Sequence, residues 1–281
     1  MPTFPTLTPI DVDIKVPSGS VEVIASDRRD ATVTVSPSNP RREQDVRAAN
    51  ETMVEFDGHR LTVTSPKPRL AIFGPNESVD IKIELPEGSN ITADAGFGPL
   101  RATGTLGVTK IKSAHGEIDL GTTADLVAQS SHGPIRVGDV KGSLEVESSH
   151  GSIRVKSATG SAKLKSSHGP ISLGEIGGEL FVKSSYGDLE IAAARASVAA
   201  KTAYGAIEIG EVSAGEIDLE AGHGGVTVGI RDGVKAWLEL SSRQGRVRNE
   251  LANSGAPESG DQTVRVLAHT NMGNVRVYRA S

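Results

Sequence analysis

The sequence SSHGPIRVGDVKGSLEVE at residues 130–147 is followed by SSHGSIRVKSATGSAKLK at 148–165 and SSHGPISLGEIGGELFVK at 166–183. Weaker copies flank these three segments on both sides. One glycine of each copy falls at positions 98, 116, 133, 151, 169, 187, 205 and 224, so the steps are 17 to 19 residues. Such regular spacing indicates a tandem structural repeat with a period of about eighteen residues.

Each copy alternates apolar and polar residues after its glycine, as in Ile153-Arg154-Val155, and again later, as in Leu144-Glu145-Val146. This period of two is typical of strands with one buried face. Two short strands cannot bury their apolar faces alone, so we expect successive copies to stack in register about 4.8 Å apart. The pattern predicts an all-β fold, a single-chain parallel β-solenoid or β-helix. Tandem β-hairpins are disfavoured because the links lack a consistent Asn-Gly or Asp-Gly turn.

We expect irregular β caps at both ends of the solenoid, because terminal coils expose unpaired strand edges. Residues 1–95 are predicted to form an N-terminal β cap or small β domain, residues 96–230 the solenoid repeats, and residues 231–281 a C-terminal β cap. Trp237, the one tryptophan of the chain, is expected to close the core of the C-terminal cap. The Ser-, Gly- and Pro-rich segment 253–261 is predicted to be a flexible loop.

The amino-acid composition and the net charge limit the kinds of fold and of binding site that the chain can have. Aromatic residues make up only 3% of the chain and glycine contributes 32 residues, which fits a thin repetitive fold with many corners. The net charge of −5 leaves no basic footprint for nucleic acid. The absence of cysteine excludes disulfides and cysteine-based zinc sites. Because no long apolar run and no signal-peptide pattern are visible, we expect no direct membrane insertion and a cytoplasmic location.

A resemblance to a known family rests on three features. These are the strand run Val21-Glu22-Val23-Ile24-Ala25-Ser26-Asp27, the strand 79–86, and the repeated small-small-x-Gly-x-Ile-x-Val units. With them the chain resembles bacterial β-strand-repeat proteins described as adhesin-like, whose repeat region is called a toastrack domain. The resemblance covers nearly the whole chain. It implies this fold, no established enzymatic chemistry, and a signalling or assembly partner, since relatives occur beside bacterial envelope-stress and phage-shock-like membrane proteins.

The residue before each repeat glycine carries a ring in all eight copies, starting with Phe97. In a solenoid these rings form a ladder along one corner. They could simply stack beside an obligatory glycine, bind a metal, or form a strip that recognises a partner. A metal needs three or four converging ligands, and a metal-binding column would not accept Phe. The candidate recognition ladder consists of His115, His132, His150, His168, Tyr186, Tyr204 and His223, with no metal and no cofactor.

A column of hydroxyl residues precedes the ladder by two positions. Its members are Ser130, Ser148, Ser166, Ser184 and Thr202. Alternation predicts that they point inward, and we expect them to hydrogen-bond backbone groups at the corner. A neighbouring Ser–His pair is not evidence of a hydrolase, because adjacent residues of a strand face opposite ways and no repeating acid orients the histidine.

These features predict a non-enzymatic scaffold or binding protein that acts through protein–protein interaction or self-assembly. The alternatives are a carbohydrate-binding or carbohydrate-active β-helix protein, with a sugar as ligand, and a metal-responsive module that uses the histidines. Carbohydrate-active sites need paired acids or calcium-binding carboxylates in one groove, whereas the outward residues here are scattered Arg, Lys, Glu and Ser. We therefore predict no catalytic residues.

Overall fold

A computed structural model describes residues 2–67, 77–251 and 262–280. The predicted loop at 253–261 lies outside the described residues. The chain divides into two compact units, Met1–Lys141 (unit 1) and Gly142–Ser281 (unit 2), and each contains stacked parallel strands. The domain boundaries near residues 95 and 230 stay a prediction. Among the described residues, no helix has the length and apolar character needed to cross a membrane.

The described part of unit 1 forms two sheets with the strand orders β1-β4-β7-β3-β9-β11-β13 and β12-β10-β8-β2-β6-β5, using the following elements. They are β1 Thr3–Pro5, β2 Asp11–Ser18, β3 Val21–Ser26, β4 Asp30–Pro37, α1 Glu43–Glu51, β5 Met53–Phe56, β6 Arg60–Thr64, β7 Val79–Pro86, β8 Asn90–Phe97, β9 Leu100–Leu106, β10 Thr109–His115, β11 Ile118–Thr123, β12 Leu126–His132 and β13 Ile135–Val140. The pairs β1–β4, β4–β7 and β5–β6 are antiparallel. The repeat strands pair in parallel, as predicted.

Unit 2 forms two sheets with the strand orders β15-β17-β19-β21-β23-β27-β25 and β14-β16-β18-β20-β22-β26-β24 in its described part. The elements are β14 Leu144–His150, β15 Ile153–Ala158, β16 Ala162–His168, β17 Ile171–Ile176, β18 Leu180–Tyr186, β19 Leu189–Ala194, β20 Val198–Tyr204, β21 Ile207–Val212, β22 Gly215–His223, β23 Val226–Ile230, β24 Lys235–Gln244, β25 Val247–Asn249, β26 Thr263–Met272 and β27 Val275–Arg279. The predicted all-β, parallel solenoid class is confirmed.

In both units, the coil nearest the chain terminus lies inside the stack. In unit 1, β2 pairs with β6 and β8 while β3 pairs with β7 and β9. In unit 2, β26 pairs with β22 and β24 while β27 pairs with β23 and β25. Each terminal coil is therefore hydrogen-bonded on two sides, which protects it against fraying.

The core consists of columns of like side chains from successive coils. Ile153, Ile171, Leu189 and Ile207 stand in register in unit 2 and are at most 1% exposed. On the outer face of the same unit, opposite charges meet across neighbouring strands: Lys163 Nζ lies 2.7 Å from Glu145 and Lys165 Nζ 2.9 Å from Glu147. A slip of one residue would exchange these two faces, so burial specifies the register.

One expectation about the caps is wrong. Trp237 does not close a core, because its side chain is 69% exposed. The residues of β24 that face inward are its neighbours Ala236 and Leu238, whose partners Val264 and Val266 on β26 are buried. Unit 1 also contains the helix α1, which no periodicity predicted. Its buried Asp45 carboxylate accepts hydrogen bonds from the backbone N–H groups of Asn39 and Ser78, and these contacts fix the helix start.

Candidate functional site: two ladders of stacked rings

The rings that precede the repeat glycines lie at the last residue of successive strands. In unit 1, Phe97, His115 and His132 end β8, β10 and β12 and stand in register; we call them the N-terminal ladder. In unit 2, five rings end β14, β16, β18, β20 and β22; we call them the C-terminal ladder. Its members are His150, His168, Tyr186, Tyr204 and His223.

Within each ladder the rings stack face to face. In the N-terminal ladder, the centroid separations are 4.8 Å for Phe97–His115 and 4.5 Å for His115–His132. In the C-terminal ladder, the four successive separations are 4.7, 5.0, 5.0 and 4.6 Å, and the planes deviate from parallel by 2° to 12°. These values match the spacing of neighbouring strands, about 4.8 Å, because each coil repeats the same corner geometry.

The glycine after each ring makes this corner possible. Gly169, Gly187 and Gly205 have φ angles of 127°, 137° and 147°, a region that side chains disfavour. A Cβ atom on Gly187 would lie 2.3 Å from the carbonyl oxygen of Gly169 in the coil before it. Successive corners can therefore stack closely only where the corner residue of each coil is a glycine.

Stacking leaves only the ring edges available to a ligand. Tyr186 and Tyr204 are 49% and 47% exposed, although each has a parallel ring on both faces. The exposed area therefore belongs to edges that carry hydroxyl groups and, at the histidines, ring nitrogens. Beyond His223 the column continues in register with Met272 and Gln244. A sugar cannot lie flat on rings whose faces are already covered.

The ring geometry does not favour metal binding. Nitrogen lone pairs lie in the plane of an imidazole, so the near-parallel planes of His150 and His168 direct them side by side. A zinc site needs ligands that converge on one point at about 2.0–2.1 Å. Within the described ranges, no group of three or more His, Cys, Asp or Glu side chains is arranged to hold a metal ion.

The hydroxyl column points inward, but its predicted hydrogen bonds are largely wrong. Ser130, Ser148, Ser166 and Ser184 are 4% to 6% exposed, and their Oγ atoms have no hydrogen-bond partner among the described residues. Thr202 donates a long hydrogen bond of 3.5 Å to the carbonyl oxygen of Gly187.

The charged groups behave as structural ion pairs. A hydrogen bond from Lys163 lowers the pKa of the Glu145 carboxyl, and one from Lys201 lowers that of Glu220. The pKa values of seven carboxyl groups are shifted downward, those of Asp11, Asp30, Asp57, Glu84, Glu145, Glu220 and Glu250. A general acid would need the opposite shift, since it must stay protonated near neutral pH.

Comparison with known proteins agrees with the resemblance noted in the sequence. The model of the family described as Toastrack DUF4097 matches residues 10–277. No curated protein matches the chain.

Three crystal structures are similar to the chain over nearly its whole length. A putative adhesin from Bacteroides fragilis is 13% identical, with 98% of this chain and 95% of that chain covered and a TM-score of 0.39. A putative lipid binding protein from Parabacteroides distasonis is 12% identical, with the same coverage of 98% and 95% and a TM-score of 0.42. A putative cell adhesion protein from Clostridium sporogenes is 11% identical, with coverage of 96% and 92% and a TM-score of 0.22.

Proposed function

We propose that this chain, which belongs to the Toastrack DUF4097 family, is a non-enzymatic scaffold that binds a protein partner through the C-terminal ladder. The observation that carries the proposal is the row of half-exposed rings at separations of 4.6 to 5.0 Å. Tyr186 and Tyr204 are 49% and 47% exposed, so a protein partner can reach both of them at this corner. Exposed tyrosines are typical of surfaces that bind proteins.

The regular spacing favours a protein over a sugar as partner. The ring edges repeat at nearly the interval of strands in a β-sheet, about 4.8 Å, so successive strands of a partner sheet can engage several edges in succession. Recognition of sugars or of cations by aromatic side chains uses the ring face. At His168, Tyr186 and Tyr204 both of those faces are covered by neighbouring rings.

The absence of catalysis is part of the same proposal. It is supported by the downward pKa shifts of the described carboxyls and by the burial of the hydroxyl column. The cytoplasmic location remains a prediction, and fractionation of cells that produce a tagged chain tests it.

The experiment is a comparative affinity purification from the native host. The bait proteins are the unchanged chain, the ladder variant Tyr186→Ser with Tyr204→Ser, and a control variant Lys183→Ser with Lys201→Ser on the outer face of the same two strands. We expect a protein that the unchanged chain and the control retain and the ladder variant loses. Thermal unfolding verifies that each bait is folded. Equal retention by the two variants, or no retained protein, would falsify the proposal.

A further inference from the structure

The strand β24 stands at the end of a sheet in unit 2. It pairs with β26 on one side, and none of the described residues pairs with its other side. The backbone N–H of Lys235 donates to the carbonyl oxygen of Gln262, so Lys235, Trp237 and Glu239 direct their backbone groups toward β26. Backbone groups alternate along a strand, so those of Ala236 and Leu238 point to the open side.

This edge lacks two of the features that hinder strands from pairing with other molecules, a short length and a proline. The strand is ten residues long, contains no proline, and carries Trp237 with 69% of its side chain exposed. The outer strands of unit 1 are different: β5 has four residues, and β1 has three and ends at Pro5. Short length and proline are two devices that protect a sheet edge, and β24 has neither, although it carries the charged residues Lys235, Glu239 and Arg243.

The end of the core at this edge is also incompletely covered. Leu238 and Leu240 occupy inward positions but are only half-buried, and Val247 on the adjoining β25 is 45% exposed. Equivalent positions on β26, among them Val266 and Ala268, are at most 1% exposed. A further layer of strands over β24 would bury these apolar side chains.

The sequence of β24 is complementary to itself when it is read in the antiparallel direction. Read against itself in the antiparallel direction, Lys235-Ala236-Trp237-Leu238-Glu239 places Lys235 opposite Glu239, Ala236 opposite Leu238, and Trp237 opposite itself. We infer that β24 pairs with β24 of a second copy of this chain, antiparallel and about a two-fold axis at Trp237. This surface contains no residue of the C-terminal ladder and goes beyond the proposed function.

The orientation of the backbone agrees with this register. Ala236 and Leu238, whose amides and carbonyls point to the open side, become the hydrogen-bonded pairs across the axis. Trp237 then forms a non-hydrogen-bonded pair with its copy, the arrangement in which opposed side chains approach most closely. Lys235 meets Glu239 of the second copy on either side. A two-fold contact closes on itself, so the product is a dimer and not a filament.

The test is the mass of the full chain in solution, measured by sedimentation over a concentration series. We expect a monomer–dimer equilibrium for the unchanged chain and a monomer for Ala236→Pro, which removes an outward N–H without breaking the ladder to β26. Glu239→Lys should also lose the dimer, because it places lysine opposite Lys235. The double variant Lys235→Glu with Glu239→Lys should restore it.

Several outcomes would overturn the inference. They are a monomer at every concentration of the unchanged chain, growth beyond a dimer, and a dimer that persists in both Ala236→Pro and Glu239→Lys. Thermal unfolding of each variant separates loss of the dimer from loss of the fold. The ladder variant Tyr186→Ser with Tyr204→Ser should keep the dimer, so this result is independent of partner binding.

Discussion

The imidazole rings of His150 and His168 lie 4.7 Å apart, centroid to centroid, with their planes within 2° of parallel. The two residues end adjacent parallel strands and stand in register. Their stacking follows from the fold, because each coil repeats the same corner one strand spacing further on. The ladder is therefore a structural contact as well as the candidate surface for a partner.

Removing a ring from the C-terminal ladder should weaken the fold measurably. Tyr186 stacks on His168 and on Tyr204, with centroids 5.0 Å away in both cases. Since an aromatic pair contributes about 0.5–1.5 kcal/mol, we expect Tyr186→Ala to lower the free energy of unfolding by about 1–2 kcal/mol in urea titrations. Tyr186→Phe keeps the ring and should change the free energy of unfolding by less than about 0.5 kcal/mol. Equal losses in the two variants would show that the hydroxyl, and not stacking, is responsible.

The corner glycines should be far less tolerant of a side chain than a glycine in open space. Gly187→Ala combines an unfavourable φ of 137° with a Cβ atom 2.3 Å from a backbone oxygen. We expect a cost of about 2–3 kcal/mol in the free energy of unfolding. Gly233 also has a positive φ, 78°, but nothing lies within 4 Å of its Cβ position. Gly233→Ala should therefore cost only about 1 kcal/mol, and a similar cost at both positions would contradict the close stacking of corners.

The buried hydroxyls should differ in what they contribute to stability. Ser166 Oγ has no hydrogen-bond partner among the described residues, whereas Thr270 Oγ1 donates to the carbonyl oxygen of Gly224 at 2.8 Å. We expect Ser166→Ala to be neutral or stabilising, because it removes an unpaired buried polar group. Thr270→Val keeps the shape but loses the hydrogen bond, and should cost about 1 kcal/mol. Chemical denaturation of the two variants measures the contrast, and the reverse order would disprove it.

Lowering the pH should remove one electrostatic contribution to the stability of unit 1. Hydrogen bonds from Arg28 and Lys82 lower the pKa of Glu84 from 4.5 to about 2. A carboxyl whose pKa is lower in the folded state stabilises the fold above its ordinary pKa, and this contribution disappears as the pH falls from 4.5 toward about 2. We expect Glu84→Gln to be less stable than the unchanged chain at neutral pH. Urea titrations over this pH range should show the difference shrinking, and a constant difference would contradict the assignment.

The repeat region could be predicted in detail because its pattern is local and is repeated many times. The alternation around Ile153, the glycine spacing and the ring at each corner require only the period of a strand and the geometry of a corner. The outer parts of the chain lack this redundancy. For α1, a charged helix that begins with Glu43, the sequence has a weak apolar pattern, and its stability depends on Asp45 contacting Ser78 far along the chain.

The sequence alone determined the coil length, the parallel stack, the inward columns and the ladders, since each follows from the chemistry of one repeat. Tertiary structure decided where each terminal coil lies. β2 and β26 lie inside their stacks because burial of both edges favours insertion, and neither strand carries a local signal for it. The same long-range pairing places β24 at an edge and leaves Trp237 exposed. Which strand becomes an edge is settled by competition among all pairings, and a local pattern contains no information about that competition.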